Sequence, residues 1–229
     1  MNLRAPWSTL ITLSAWLGCA PDDVGPEPVA GEPFAIGPCI DRGTTAGFAT
    51  CVESFAPAAA ASFGHDALPD IVLGAPQPPD SGGGSLDVAS LGCGGSITLG
   101  FAVAAPNGPG EDLIVFENAF ATGDGSFAEP AAVLVSDDGE TWFAFACDAE
   151  GDEAQGCAGV TPAQAVSGDL ARDPEGSGGD AFDLDEVGLD QIHWLRLTDR
   201  TREHYASDMW CQGPAGGFDL DAVARVHDP

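Results

Sequence analysis

The sequence predicts an all-β fold: a single β-sandwich of about nine short strands with a long acidic loop excursion. Three observations lead there. Short β-rich runs recur between clusters of Gly, Pro, Asn and Asp. No amphipathic helical stripe of useful length interrupts them. Gly (31) and Pro (18) supply turn formers throughout the 229 residues, while 44% hydrophobic residues provide material for a core.

In chain order the expected strands are Val52–Ala56, Asp70–Leu73, Ser85–Leu91, Ser96–Val103, Asp112–Glu117, Ala131–Ser136, Thr141–Ala146, Ile192–Thr198 and Phe218–Val226. Ser96–Val103 alternates, with Ile97, Leu99, Phe101 and Val103 on one face and Thr98 and Gly100 on the other. Leu113-Ile114-Val115-Phe116 is apolar on both faces, as a central strand requires. Ser136-Asp137-Asp138-Gly139 reads as a tight hairpin turn, with Gly139 free to take positive φ. Its wider context, ending in Thr141-Trp142, resembles a sialidase Asp-box but is one residue short and occurs once, so it signals a hairpin. Cys147 to Gly179 breaks the rhythm and is the expected excursion, with a short helix from Thr161 to Leu170 capped by Thr161. A phrase F-D-L-D-x-V occurs at Phe182–Val187 and again at Phe218–Val223. In a strand, each copy would aim two carboxylates at one spot.

Charge excludes whole classes of function. There are 36 Asp and Glu against 7 Lys and Arg, a net charge of −29. That leaves no basic stripe for nucleic acid and no attraction to an anionic membrane surface.

The first residues read as an address. Arg4 precedes the apolar run Leu10 to Leu17, which is too short to span a bilayer, and Gly18-Cys19-Ala20 follows. A small residue directly before this Cys resembles the lipobox of bacterial lipoproteins, although Trp16 and Leu17 depart from it. Residues 1–19 are therefore expected to be a lipoprotein-type signal peptide with Cys19 lipidated. Residues 20–34 form a Pro- and acid-rich tether, and 35–229 form the domain. This places the protein at the outer membrane or cell surface, touching membrane only through its anchor. A plain signal peptide cut near Ala20 would instead make it secreted or periplasmic.

Six further cysteines in an exported chain point to disulfides. Fifteen connectivities exist for six cysteines. The preferred one pairs the sequence neighbours Cys39/Cys51 and Cys147/Cys157, leaving Cys93 with Cys211. Zinc is the competing reading, but there is no C-x-x-C and no nearby His pair.

Signatures of the common enzyme classes are missing: no G-x-S-x-G, H-E-x-x-H, P-loop or dinucleotide fingerprint. Calcium is the best-supported chemistry, because it is hard, takes oxygen ligands and abounds outside cells. Glu117 and Asn118 end the central strand and Glu129 opens the next. Asp219 and Asp221 on the last strand, with Asp180 and Asp183 on the earlier echo, are the other candidate ligands. Asp148, Glu150 and Asp152 form a weaker candidate loop. Tyr205 and Trp210 are the candidate ligand-contacting aromatics. The domain is expected to be a non-catalytic binding or adhesion module for a glycan or protein; the alternative is a glycosidase-like hydrolase using a carboxylate pair.

Several phrases carry a wider resemblance. They include Phe63-Gly64-His65-Asp66, Leu68-Pro69-Asp70-Ile71-Val72-Leu73-Gly74, Gly95-Ser96-Ile97-Thr98-Leu99, Val115-Phe116-Glu117-Asn118, Phe127-Ala128-Glu129-Pro130 and Gly217-Phe218-Asp219-Leu220-Asp221. Through them, residues 52 to 227 resemble a group of bacterial exported "cell surface" proteins. Leu195-Arg196-Leu197-Thr198-Asp199 is similar to the penultimate strand of discoidin-like, galactose-binding jelly rolls. The resemblance implies a jelly-roll β-sandwich, calcium-stabilised in that broader class, serving adhesion or glycan binding. Cys93 departs from the Leu91-Gly92-Cys93-Gly94-Gly95 phrase of that group, which a disulfide to Cys211 would explain.

Overall fold

A computed structural model describes residues 47–77, 85–118, 120–122, 125–164 and 168–229. The signal peptide, Cys19, the tether and Cys39 lie outside the described residues. Eleven strands occur among those described: β1 (Cys51–Ala56), β2 (Ala89–Ser90), β3 (Ser96–Pro106), β4 (Leu113–Glu117), β5 (Phe120–Thr122), β6 (Gly125–Phe127), β7 (Ala131–Ser136), β8 (Phe143–Ala144), β9 (Asp180–Phe182), β10 (Gln191–Asp199) and β11 (Asp219–Arg225). The one described α-helix, α1, is Thr201–Tyr205.

The strands form two antiparallel sheets, ordered β1-β3-β10-β7-β8 and β2-β11-β4-β9, with β5 and β6 as a separate hairpin. The all-β expectation holds. Between the sheets lies one apolar core, with Phe55, Leu99, Val133, Val135, Leu195 and Leu197 from the first and Leu113, Val115, Leu220 and Val223 from the second. Each such side chain removed from water contributes about 1.5–3 kcal/mol of transfer free energy.

The expected two-faced burial of β4 has a concrete cause. Leu113 and Val115 face the main core, while Ile114 and Phe116 join Phe48, Ala171, Ala222 and Ala224 in a second cluster. Ala171 comes from the excursion, which leaves the edge strand β8 and returns at the opposite sheet's edge strand β9. Arg172 fastens it by donating from Nε to the Arg225 carbonyl at 2.8 Å and from its terminal nitrogen to the Val226 carbonyl at 3.0 Å.

Three expected strands change form. Asp70–Val72 is a 3-10 turn, because Pro69 enters it in the right-handed helical region and no strand flanks it. Ser85–Leu91 contracts to Ala89–Ser90, the Ser85 hydroxyl having captured the Asp87 N–H locally. Thr141–Ala146 contracts to Phe143–Ala144, because Asp138 takes the Glu140 and Thr141 N–H groups away from any ladder. The hairpin between β7 and β8 is wider than the tight turn expected, since Val135 pairs with Phe143, but Gly139 takes the positive φ anticipated for it, 75°.

No helix begins at Thr161, whose N–H is spent on Asp180; a 3-10 turn at Gly168–Arg172 follows, and residues 165–167 lie outside the described set. The two F-D-L-D copies fold differently. At Phe182 the strand ends and Asp183 caps a 3-10 turn by accepting the Asp185 N–H. In the second copy the strand begins at Asp219, just after Phe218, but its register slips between Leu220 and Ala222. Leu220 and Val223 therefore face the main core and Ala222 the second cluster, overturning the simple alternation expected there.

Candidate functional site

One end of the sandwich gathers acids, and strand pairing explains how. Glu117, the last residue of β4, lies opposite Leu220 in β11, so it meets the neighbouring Asp219. Asp219 in turn lies opposite Ser90 in β2, whose hydroxyl donates to its carboxylate. Glu129 arrives just before β7 and accepts the Gly217 N–H at 3.0 Å. Asp199 closes β10 and accepts the Phe218 N–H at 2.7 Å. Gly217 has φ 76°, and a Cβ there would stand 2.7 Å from the Gly92 carbonyl carbon and 2.9 Å from an Asp199 carboxylate oxygen. Only glycine fits that approach.

The electrostatics are severe. Glu117 is 3% exposed. Burial, with Asp219, Glu129 and Asp180 nearby, pushes its carboxyl well above the usual range. Burial, then Asp219 and Asp199, raises Glu129 to about 9. Burial raises Asp219 to about 6, against donation from Ser90. Among the described residues no arginine offsets this: Arg172 and Arg225 pair with Asp228, Arg200 with Glu203, Arg202 with Asp208, and Arg196 lies over Trp142.

Two buried oxygens have no hydrogen-bond partner, Glu117 Oε2 and Asn118 Oδ1. The Asn118 amide donates to Asp219, so its carbonyl oxygen is the atom left over. Orphaned buried acceptors cost about 1–3 kcal/mol each, and more when charged. A hard cation accepts such oxygens, so the donor chemistry fits calcium. Among the described residues no three His, Cys, Asp or Glu side chains already converge as a metal shell. An ion there would have to draw the carboxylates together by side-chain rotation.

Of the expected metal ligands, Glu117, Asn118, Glu129 and Asp219 are brought together. The other three are engaged by other partners. Asp180 stands near Glu117, but its carboxylate collects the Gly159, Val160 and Thr161 N–H groups at 2.7, 2.9 and 3.1 Å. Asp183 is occupied as the turn cap. Asp221, displaced by the register slip, accepts the Gln77 N–H at 3.2 Å, with Asp87 as the charge that acts on it. The weaker loop candidate is closed by Cys147–Cys157 and borders a separate cleft of about 690 Å³ lined by Asp152, Glu153, Asp180 and His204.

Over the acid cluster opens a cleft of about 600 Å³. Asn118, Glu129 and Asp219 supply its polar side; Phe127, Met209 and Trp210 supply its apolar side. Trp210 is 37% exposed and packs edge-on against Phe127 at 4.8 Å. Tyr205 does not line the cleft: its hydroxyl donates to the Ala128 carbonyl at 2.8 Å, and its ring buttresses Phe127 and Trp210. The Cys93–Cys211 disulfide, with Cα atoms 5.3 Å apart, ties the Trp210 turn to the loop between β2 and β3. Phe127, Met209 and Asp199 went unrecognised in the sequence. Phe127 and Asp199 stand inside phrases quoted above, but nothing local marks them as neighbours of Trp210 or Gly217.

The cysteine pairs Cys93–Cys211 and Cys147–Cys157 are as preferred. Cys51 is disulfide-bonded as well. Fold and site together define a disulfide-bonded, two-sheet all-β protein with an uncompensated acid cluster beneath an aromatic-walled cleft. No family model matches this chain, and no curated protein matches it.

Proposed function

We propose that this chain is a lipid-anchored cell-surface binding or adhesion module, a calcium-stabilised jelly roll that is non-catalytic. One observation carries the reading: Glu117 Oε2 and Asn118 Oδ1 are buried without partners beside Glu129 and Asp219, with no arginine among the described residues to balance them. A divalent cation from the extracellular medium satisfies these oxygens and cancels the repulsion. The anchor at Cys19 and the tether over residues 20–34 would hold the domain off the membrane, and the cleft under Trp210 would meet a glycan or protein.

Thermal melting of the full chain in millimolar calcium and in chelator tests this. A calcium-dependent rise of several degrees supports the structural ion, and superimposable curves defeat it.

A second reading has its own observation. Glu129, raised to about 9, and Asp219, raised to about 6, are an acid and a base of different strength at one cleft. That is the pattern of a glycoside hydrolase pair. Release of reducing ends from polysaccharides, abolished by Glu129→Gln, would favour it; no turnover leaves the binding module.

A further inference from the structure

The geometry points to a carboxylate-binding site built on Arg196, on the outer face of the five-stranded sheet. Its occupant is a segment of a partner protein in which one acidic side chain lies between apolar ones. The site shares no residue with the acid cluster and stands with or without an ion there.

Arg196 lies in β10, the middle strand of its sheet. Its chain neighbours Leu195 and Leu197 enter the core, so Arg196 points the other way. Antiparallel register places Thr98 of β3 and Leu134 of β7 on either side of it. No residue paired across this row, or across the flanking rows of Trp194 and Thr198, is acidic. The acids of the turn after β7 do not serve it either. Asp137 accepts from His193 at 2.9 Å and from Gln191 at 3.1 Å, and Asp138 accepts the Glu140 and Thr141 N–H groups. Glu140 is exposed and forms no ion pair with Arg196. Among the described residues Arg196 is the one arginine without a carboxylate partner.

The guanidinium is nonetheless fixed. Its Nε donates to the Thr98 hydroxyl at 3.0 Å, and its central carbon lies 4.0 Å from the centre of the Trp142 ring. Trp142 is held in turn by its indole N–H, which donates to the Gly139 carbonyl at 3.2 Å. These contacts occupy Nε and one face of the group. The Nη1 and Nη2 edge meets no described residue, and it presents two parallel N–H donors that match the two oxygens of a carboxylate. Burial lowers the pKa of Arg196, a sign that water solvates this cation poorly. Such a cation gains more from an anionic partner than one in open water does.

The surroundings select what carries the carboxylate. Leu134 and the rings of Trp142 and Trp194 are half-buried and offer apolar surface beside the guanidinium. The rest of the chain brings the net charge to −29, so every further negative charge on a ligand adds repulsion. One carboxylate between apolar side chains meets both conditions, and a polyacid fails the second.

Uniform nitrogen-15 labelling of the full chain allows the Arg196 Nε–H and Trp142 indole N–H signals to be followed by NMR. The probe is acetyl-Leu-Glu-Leu-amide, set against the same peptide with Gln in place of Glu. The Glu peptide should shift both signals saturably and bind at least about tenfold more tightly than the Gln peptide, in calcium and in chelator alike. Arg196→Lys keeps the charge but loses the planar fork, and should weaken binding by about tenfold, read at Trp142, while the calcium melting shift persists. Should that variant not fold, the peptide pair on the wild type decides the matter alone. Equal affinity for the two peptides, shifts confined to Trp210, tighter binding of polyglutamate, or loss of binding in chelator each overturns the site and leaves the calcium reading untouched. Absence of a calcium melting shift removes the ion and leaves this site standing.

Discussion

Asp199 holds Phe218 in place: the carboxylate that ends β10 accepts the Phe218 N–H at 2.7 Å and so joins one sheet to the start of β11 in the other. The same group accepts the Gly94 N–H at 2.9 Å and the Thr201 hydroxyl at 2.6 Å. Burial raises its pKa even against these donors, which marks how little water reaches it. Asp199 is thus the knot behind the acid cluster rather than a member of the cleft.

Asp199→Ala strands at least three donors in a dry site and should cost about 3–5 kcal/mol by urea denaturation. Asp199→Asn keeps one acceptor oxygen and should cost less. A loss under 1 kcal/mol for the alanine variant would mean that water replaces the carboxylate and that the knot is ornamental.

The disulfides Cys93–Cys211 and Cys147–Cys157 should differ in weight. Cys93–Cys211 spans 118 residues and Cys147–Cys157 spans 10. Chain-entropy estimates give about 4–5 kcal/mol for the first and about 2–3 for the second. Cys93→Ala with Cys211→Ala should therefore lower the melting temperature well beyond the Cys147→Ala with Cys157→Ala pair. It should also loosen Trp210, visible as a red shift in tryptophan emission. Equal losses would show that the denatured chain is already constrained across the longer span.

Much of this arrangement is legible locally. Alternation marks β3 as far as Phe101, but Val103, expected on the same face, is 51% exposed where the pairing with β10 shifts register; the apolar run marks β4 and Asp-Asp-Gly the turn after β7, because those signals depend on neighbours in sequence. Glu117 and Asp219 are legible together because they stand at the ends of β4 and β11, which antiparallel pairing aligns, whereas Glu129 comes from the loop before β7 in the other sheet and reaches them through the Gly217 N–H. What escapes is non-local. Whether Asp221 faces with Asp219 depends on a register slip against β4, and whether Phe182-Asp183-Leu184-Asp185 makes a strand depends on the end of its partner. Asp180 has the composition of a ligand but is consumed by three backbone donors from a loop some twenty residues earlier.

Asp221 gives a pH signature separate from the cluster. Burial raises it to about 7, against the Gln77 N–H and with Asp87 adding to the rise. A carboxyl whose folded pKa exceeds its unfolded value near 3.8 binds its proton more tightly in the native state. Its contribution is therefore full below about pH 4 and is lost as pH climbs toward 7. Asp221→Asn retains an acceptor for Gln77 and removes the titration. In chelator it should match the wild type at pH 4 and exceed it at pH 8 by on the order of 2–4 kcal/mol. Parallel stability curves for the two proteins across that range would show that Asp221 titrates normally.

Glu117→Gln should change sign with calcium. In chelator the wild type keeps a carboxyl in a site where burial and three neighbouring acids oppose its charge, with Oε2 unpartnered. The amide is nearly the same shape, carries no charge and brings two donors into a shell of acceptors, so the variant should be more stable than the wild type by about 1–3 kcal/mol. In calcium the order should reverse, because an amide oxygen is a weaker ligand than a carboxylate and the like charges no longer need relief. The crossover separates an ion from a shared proton. Were Glu117 simply held neutral by its neighbours, the glutamine variant would be equally or more stable in both conditions, and calcium would leave the difference between the two proteins unchanged.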